Sequence, residues 1–148
     1  EAKEVDDFME DGYTKEEHKM INETKKILHD YDLSISVTCV RVPVFYCHSE
    51  VVSVDFEEDV DVQEVVSLFS ESDGIKLIGN GKNENYPTPS MVEGEDDIFI
   101  GRIRKDLSNN KGINFWLVSD NLRKGAALNA SQIMESDIKL GKIPNFDS

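Results

Sequence analysis

A strand-like run cut short by a proline constrains this chain most. Ser34 to Val42 alternates in polarity and is rich in β-branched residues, as a half-buried strand should be. Ile35, Val37, Cys39 and Arg41 share one face, and Ser36, Thr38, Val40 and Val42 share the other. Pro43 has no N–H to give, so it ends the regular ladder or marks a bulge or edge. A second β run, Val51 to Phe56, follows the connection Val44-Phe45-Tyr46-Cys47-His48-Ser49-Glu50. Arg41 is thereby expected near a strand end, and His48 in a loop held between two strands, a common setting for functional groups.

Arg41 carries a planar, permanent cation suited to a carboxylate or phosphate. His48 can hold or release a proton near neutral pH. On residue type alone, a strand-end arginine is as readily a solvated charge and a loop histidine an ordinary surface group. Both readings stand at this level.

Along the rest of the chain, Asp11-Gly12 signals a turn. Thr14 and Glu17 have the spacing of a capping box, which predicts a helix from about Lys15 to Asp30. Met20, Thr24, Ile27, Leu28 and Tyr31 would form its buried face. Glu16 and Lys19 lie three apart in its first turn, a spacing that ordinarily gives a surface ion pair. Glu57 to Asp61 is an acidic turn. Val62, Val65, Val66 and Phe69 predict a short helix stopped by Ser72-Asp73-Gly74. Ile75 to Ile78 reads as a short strand, and Gly79 to Pro89 as a long connection too polar for core. Ile98–Arg104 and Ile113–Ser119 are expected as antiparallel neighbours across the turn Asn109-Asn110-Lys111-Gly112. Ser119 or Asp120 would cap a last helix over roughly Asn121 to Asp137, with Leu122, Ala126, Ala130, Ile133 and Met134 as its apolar stripe. Gly125 beside two alanines suits either ordinary small-residue packing or close approach by a backbone or ligand. The end from Gly141 onward, with Pro144, is expected to fray.

The 148 residues suffice for one domain with a core, and 39% hydrophobic with 31% charged residues fit a soluble globular protein. No apolar run approaches the ~20 residues a membrane span needs. The chain opens Glu-Ala-Lys-Glu, with no early apolar block, and does not begin with Met, so a signal peptide is not expected and the start is read as cut or processed. A formal net charge of −14 disfavours nucleic-acid and anionic-membrane binding. Against it, Arg102/Arg104/Lys105 and Arg123/Lys124 stand out as local basic clusters. Cys39 and Cys47 are expected as reduced thiols in a cytoplasmic protein. No dinucleotide-type glycine motif, P-loop or zinc-type Cys/His spacing is present, and no metal site is expected.

Arg41-Val42-Pro43-Val44 followed by His48-Ser49-Glu50 resembles the active-site segment of the aspartate-semialdehyde dehydrogenases. Asp11-Gly12-Tyr13-Thr14-Lys15-Glu16-Glu17-His18-Lys19-Met20, Tyr86-Pro87-Thr88-Pro89 and Gly101-Arg102-Ile103-Arg104 agree with it in order. The most specific match is Ser119-Asp120-Asn121-Leu122-Arg123-Lys124-Gly125-Ala126-Ala127-Leu128-Asn129-Ala130. The likeness covers nearly the whole chain, and only the C-terminal part of such an enzyme. His18 stands where the family often has an aromatic residue, and Cys47 where it often has glycine.

The resemblance implies an α+β fold like the C-terminal domain of the glyceraldehyde-3-phosphate dehydrogenase-like fold, with a mostly antiparallel sheet, helices on one face, and Ser34–Val42 and Ile98–Arg104 in one sheet. It implies residues 1–119 as the catalytic and dimerisation part, and 120–148 as a helix packing on a dinucleotide-binding domain elsewhere in the protein. The implied activity is NADP-dependent reductive dephosphorylation of aspartyl phosphate to aspartate semialdehyde through a cysteine thioester, in lysine, threonine, methionine and diaminopimelate biosynthesis. His48 would be the acid/base, Arg41 the holder of the substrate carboxylate, Lys19 a phosphate contact, Glu16 a substrate contact and Asn121 a neighbour of the nicotinamide. The cysteine nucleophile matches nothing here: it belongs upstream of Asp11, and Cys47, next to His48 in a strand-like loop, points away from it. These residues alone are therefore expected to lack dehydrogenase activity and to assemble with a second copy, as a homodimer or beyond it as a tetramer. The alternative is a non-catalytic acidic binding or assembly module of the same ancestry.

Overall fold

The computed structural model describes residues 7–79 and 85–142 and separates into two compact units, 1–43 and 44–148. In the first unit, helix α1 spans Lys15–Leu28. Its start is the expected capping box: the Glu17 N–H donates to Thr14 Oγ1 at 3.2 Å, and the Thr14 N–H donates to Glu17 Oε2 at 2.8 Å. It ends two residues early, because His29 turns into the left-handed region at φ 54° and closes the last turn on Lys25 and Lys26.

Two expectations for this unit fail. Met20 and Thr24 are half-buried, but Ile27, Leu28 and Tyr31 are 74%, 60% and 70% exposed. No second layer among the described residues of the unit covers that half of the helix. Ser34–Val42 keeps its alternation, with Ile35, Val37 and Cys39 half-buried between exposed Ser34, Ser36, Thr38 and Val40. It forms no strand and belongs to no sheet among the described residues, so it does not share one with Ile98–Arg104. Side-chain alternation prepares an extended segment for a ladder, and only a partner strand makes it one.

The second unit is built on a four-stranded sheet. Strands β1 (His48–Asp55), β2 (Ile75–Leu77), β3 (Ile98–Lys105) and β4 (Gly112–Ser119) lie in the order β1-β4-β3-β2. The β1–β4 and β3–β4 pairs are antiparallel, and β2 joins β3 in parallel. Helix α2 (Val62–Glu71), capped by Asp61 Oδ1 on the Gln63 N–H, lays Val62, Val65, Val66 and Phe69 on one face. There they close over Ile100, Ile103, Ile113 and Phe115, with the Phe69 and Phe115 rings edge to face at 5.6 Å. On the opposite face Phe99 and Val118 meet Cys47 and Val92, the latter from the one-turn helix α3 (Pro89–Val92).

The connection before α3 is less polar in character than its composition suggests. Pro87 is fully buried and its carbonyl accepts the Trp116 indole N–H at 2.8 Å. Gly101 makes this possible, since a Cβ there would stand 2.6 Å from the Ile78 carbonyl oxygen and 2.8 Å from Pro87 Cδ. The next residue, Arg102, sits at φ 56° in a register break between Gly101 and Arg104, with its guanidinium 5.9 Å from the centre of the Tyr86 ring. Gly79 is described, whereas residues 80–84 of this connection lie outside the described range.

The last helix is not continuous. A π-type turn, Arg123–Ala127, is broken at Ala126 (φ −136°, ψ −125°) and followed by α4 (Leu128–Lys139). Gly125 and the alanines offer little side chain to hold the pitch. Leu122, Ile133 and Met134 of the expected stripe are 62%, 56% and 50% exposed, so no packing straightens it. A Cβ on Gly125 would meet only Asn121 Cβ, at 3.9 Å, which shows no close approach there. Most of the C-terminal end expected to fray, residues 143–148, lies outside the described range.

Candidate functional site

β1 and β4 bring two of the candidate residues to one end of the sheet. His48, the first residue of β1, lies across the ladder from Ser119, the last of β4. Asn121 follows Ser119 by two residues. Antiparallel partners have Cα atoms about 4.5–5.5 Å apart, so the turn holding Asn121 starts beside His48.

That turn is fixed by Asp120, which is 4% exposed. Its Oδ2 accepts the Gly94 N–H at 2.8 Å and its Oδ1 accepts the Leu122 N–H at 2.9 Å. Its backbone carbonyl accepts from Lys124 at 2.8 Å, so it caps the chain reversal, as expected of this residue. The Gly94 amide is the main cause of its lowered pKa, and burial works against it. Arg123 pairs with Asp96, and Lys76 pairs with Glu95 and Asp97, so cations on both sides hold the acidic turn that carries Gly94. Asn121 stands half-buried in this frame.

His48 is exposed, while Cys47 before it is 6% exposed and lies at φ 71°. That left-handed turn carries the chain from the loop at Phe45 into β1. The Cys47 thiol donates to the Pro89 carbonyl at 3.5 Å and packs with Val92, Phe99 and Val118. Val52 and Val54, in step with His48 along the strand, belong to the opposite core. The thiol and the imidazole therefore leave the strand on opposite faces. Burial pushes the thiol pKa up, helped by the negative charges of Asp120 and Glu93. A buried thiol so placed is a poor nucleophile. Neither Cys39 nor Cys47 is part of a disulfide.

Glu16, Lys19 and Arg41 belong to the first unit. Lys19 Nζ lies 3.4 Å from Glu16 Oε1, and both side chains are about half exposed. Arg41 is exposed, two residues beyond Cys39, whose N–H donates to Glu17 Oε1 at 2.8 Å. The local sequence marks Glu17 and Asp120 as caps. Their second bonds, to Cys39 and Gly94, join segments far apart in sequence, which no local spacing reveals. Among the described residues, no cluster of His, Cys, Asp and Glu could hold a metal ion.

Residues 4–124 match the family model described as semialdehyde dehydrogenase, dimerisation domain. The chain belongs to this family. Among curated semialdehyde dehydrogenases, the aspartate-semialdehyde dehydrogenase of Aquifex aeolicus is 50% identical over 139 residues, covering 94% of this chain and 41% of the relative. That of Bacillus subtilis is 46% identical over 141 residues, covering 95% and 41%. Among solved structures, aspartate semialdehyde dehydrogenase II of Vibrio cholerae complexed with ASA superposes with a TM-score of 0.85 at 44% identity, covering 92% of this chain and 40% of that one. A probable aspartate-semialdehyde dehydrogenase of Pseudomonas aeruginosa gives 0.82 at 33% identity. The fold is accordingly the expected α+β one, like the C-terminal domain of the glyceraldehyde-3-phosphate dehydrogenase-like fold. The chain spans about two fifths of the length of these relatives.

Proposed function

We propose that this chain is the substrate-binding and dimerisation part of an NADP-dependent aspartate-semialdehyde dehydrogenase, acting in the biosynthesis of lysine, threonine, methionine and diaminopimelate. The observation that carries the reading is the pairing of His48 with Ser119, which sets an acid/base candidate beside the turn of Asn121. Residues 1–119 supply the catalytic and dimerisation part. Residues 120–148 supply the segment that packs on a dinucleotide-binding domain in the length of the relatives not covered here. The enzyme is a cytoplasmic homodimer, or a tetramer of such dimers. Among the described residues, no helix is long and apolar enough to cross a membrane.

In the proposed reaction a cysteine thiolate from the uncovered length attacks the acyl carbon of aspartyl phosphate and expels phosphate, leaving a thioester. NADPH, when bound, would supply the hydride for reduction of the thioester to the aldehyde, with the cysteine thiolate as the leaving group. Arg41 holds the substrate carboxylate with its two-pronged fork. Lys19 contacts the phosphate, and its neighbour Glu16 contacts the bound substrate. His48, exposed and on the opposite face from Cys47, moves the proton at the thiol sulfur and the carbonyl oxygen. Asn121 fits the nicotinamide end, since a carboxamide held in a rigid turn can donate to and accept from another carboxamide. Gly125 leaves open space one turn further on, with nothing nearer to an added Cβ than 3.9 Å.

The test is NADP reduction with aspartate semialdehyde and phosphate. The full-length protein turns over, and the 148 residues alone do not, because they lack the nucleophile and most of the cofactor pocket. Turnover by the short chain that survives Cys39→Ser and is lost in Cys47→Ser would show Cys47 to be the nucleophile. No turnover by the full-length protein would favour a non-catalytic assembly module.

A further inference from the structure

Glu17 makes more bonds than a helix cap needs. One carboxylate oxygen serves the capping box by accepting from the Thr14 N–H. The other reaches a segment twenty-two residues away and accepts from the Cys39 N–H at 2.8 Å. The side chain is buried, with the residue only 7% exposed. Two backbone amides on one carboxylate lower its pKa, that of Thr14 first and that of Cys39 second. The same contact sets Cys39 Sγ 3.5 Å from Met20 Sδ, one turn along α1.

This junction joins the two parts of the proposed substrate site in the first unit. Glu16 and Lys19 flank Glu17 on α1. Arg41 lies two residues past Cys39, so its Cα is at most roughly 7 Å from that of Cys39. Ser34–Val42 has no ladder among the described residues to hold it in register. An arginine fork recognises a carboxylate only when its backbone is well placed, within about 0.5 Å. We infer that Glu17 is a positioning residue for substrate recognition: by clamping Cys39 to the first turn of α1, it sets Arg41 in register with Glu16 and Lys19. The inference rests on the function proposed above and assigns Glu17 no contact with substrate.

The experiment uses the full-length protein and two variants. Glu17→Gln keeps the volume, but a carboxamide has one acceptor oxygen and cannot receive both amides. Thr14→Ala removes the hydroxyl that accepts from Glu17 N and leaves both carboxylate bonds. Steady-state kinetics and amide hydrogen exchange over residues 34–42 are measured for each. Glu17→Gln is expected to raise KM for aspartate semialdehyde about ten-fold, to change kcat less than about three-fold, and to speed exchange at Cys39. Thr14→Ala is expected to lower Tm while leaving KM and that exchange unchanged. Faster exchange with an unchanged KM would overturn the positioning role, and equal KM changes in both variants would reduce Glu17 to a cap. Unchanged exchange would overturn the clamp itself. Wild-type protein without dehydrogenase activity would overturn the function and the role together, even with the clamp visible in exchange.

Discussion

At the scale of single residues, Cys47 and His48 are neighbours with opposite fates. The thiol is drawn into the core beside Val92 and Val118, and the imidazole is left in solvent. With its pKa raised above the ordinary thiol value, Cys47 carries little thiolate at neutral pH. Iodoacetamide should therefore label Cys47 in the folded protein far more slowly than in denaturant. Native-state labelling at the denatured rate, read by peptide mass, would contradict the burial. Arg41 offers a second residue-scale prediction. In the full-length protein Arg41→Lys should raise KM for aspartate semialdehyde roughly ten- to hundred-fold, because a point charge cannot reproduce the fork. A normal KM would remove Arg41 from the substrate site.

At the scale of elements, the β3–β4 hairpin shows what carboxylates do in this acidic chain. Asp106 Oδ1 accepts from the Ser108 hydroxyl and N–H, and Oδ2 accepts from Asn114 Nδ2. These bonds, the Ser108 hydroxyl first, hold its pKa at about 2 against an ordinary 3.8. A depressed pKa contributes stability that is fully present above the unfolded value and is lost as pH falls through the folded one. Lowering pH from about 4 to about 2 should lower Tm, and Asp106→Asn should flatten that part of the profile. Identical profiles for wild type and variant would show that the hairpin does not titrate through Asp106. The hairpin, α2 and the strands of this unit were legible in the sequence because their signals are local: a turn tetrapeptide and periods of two and 3.6. Ser34–Val42 carries an equally clear period of two and is no strand, since a ladder depends on a partner that the period does not encode. The last helix, expected over roughly Asn121 to Asp137, is present as Leu128–Lys139. Only the break before it at Ala126 is not legible, because small residues such as Gly125 and Ala126 fix a helix only when something packs on them.

At the scale of the whole molecule, the proposed chemistry is divided. Glu16, Lys19 and Arg41 belong to the first unit, His48 and Asn121 to the second, and the nucleophile to neither. The motifs naming these residues were readable in the sequence. The buried carboxylates of Glu17 and Asp120, which hold their surroundings, were not, because each bonds a backbone amide distant in the chain. The exposed apolar residues of α1 and of the last segment are the surfaces that the proposed second copy and dinucleotide-binding domain would cover. The central claim is that His48 is the proton-transfer group of an aspartate-semialdehyde dehydrogenase. It is tested most directly by kcat for NADP reduction in full-length wild type and His48→Asn. A loss of about 10²- to 10⁴-fold in kcat with substrate KM little changed is the predicted result. A near-normal kcat in His48→Asn would contradict it.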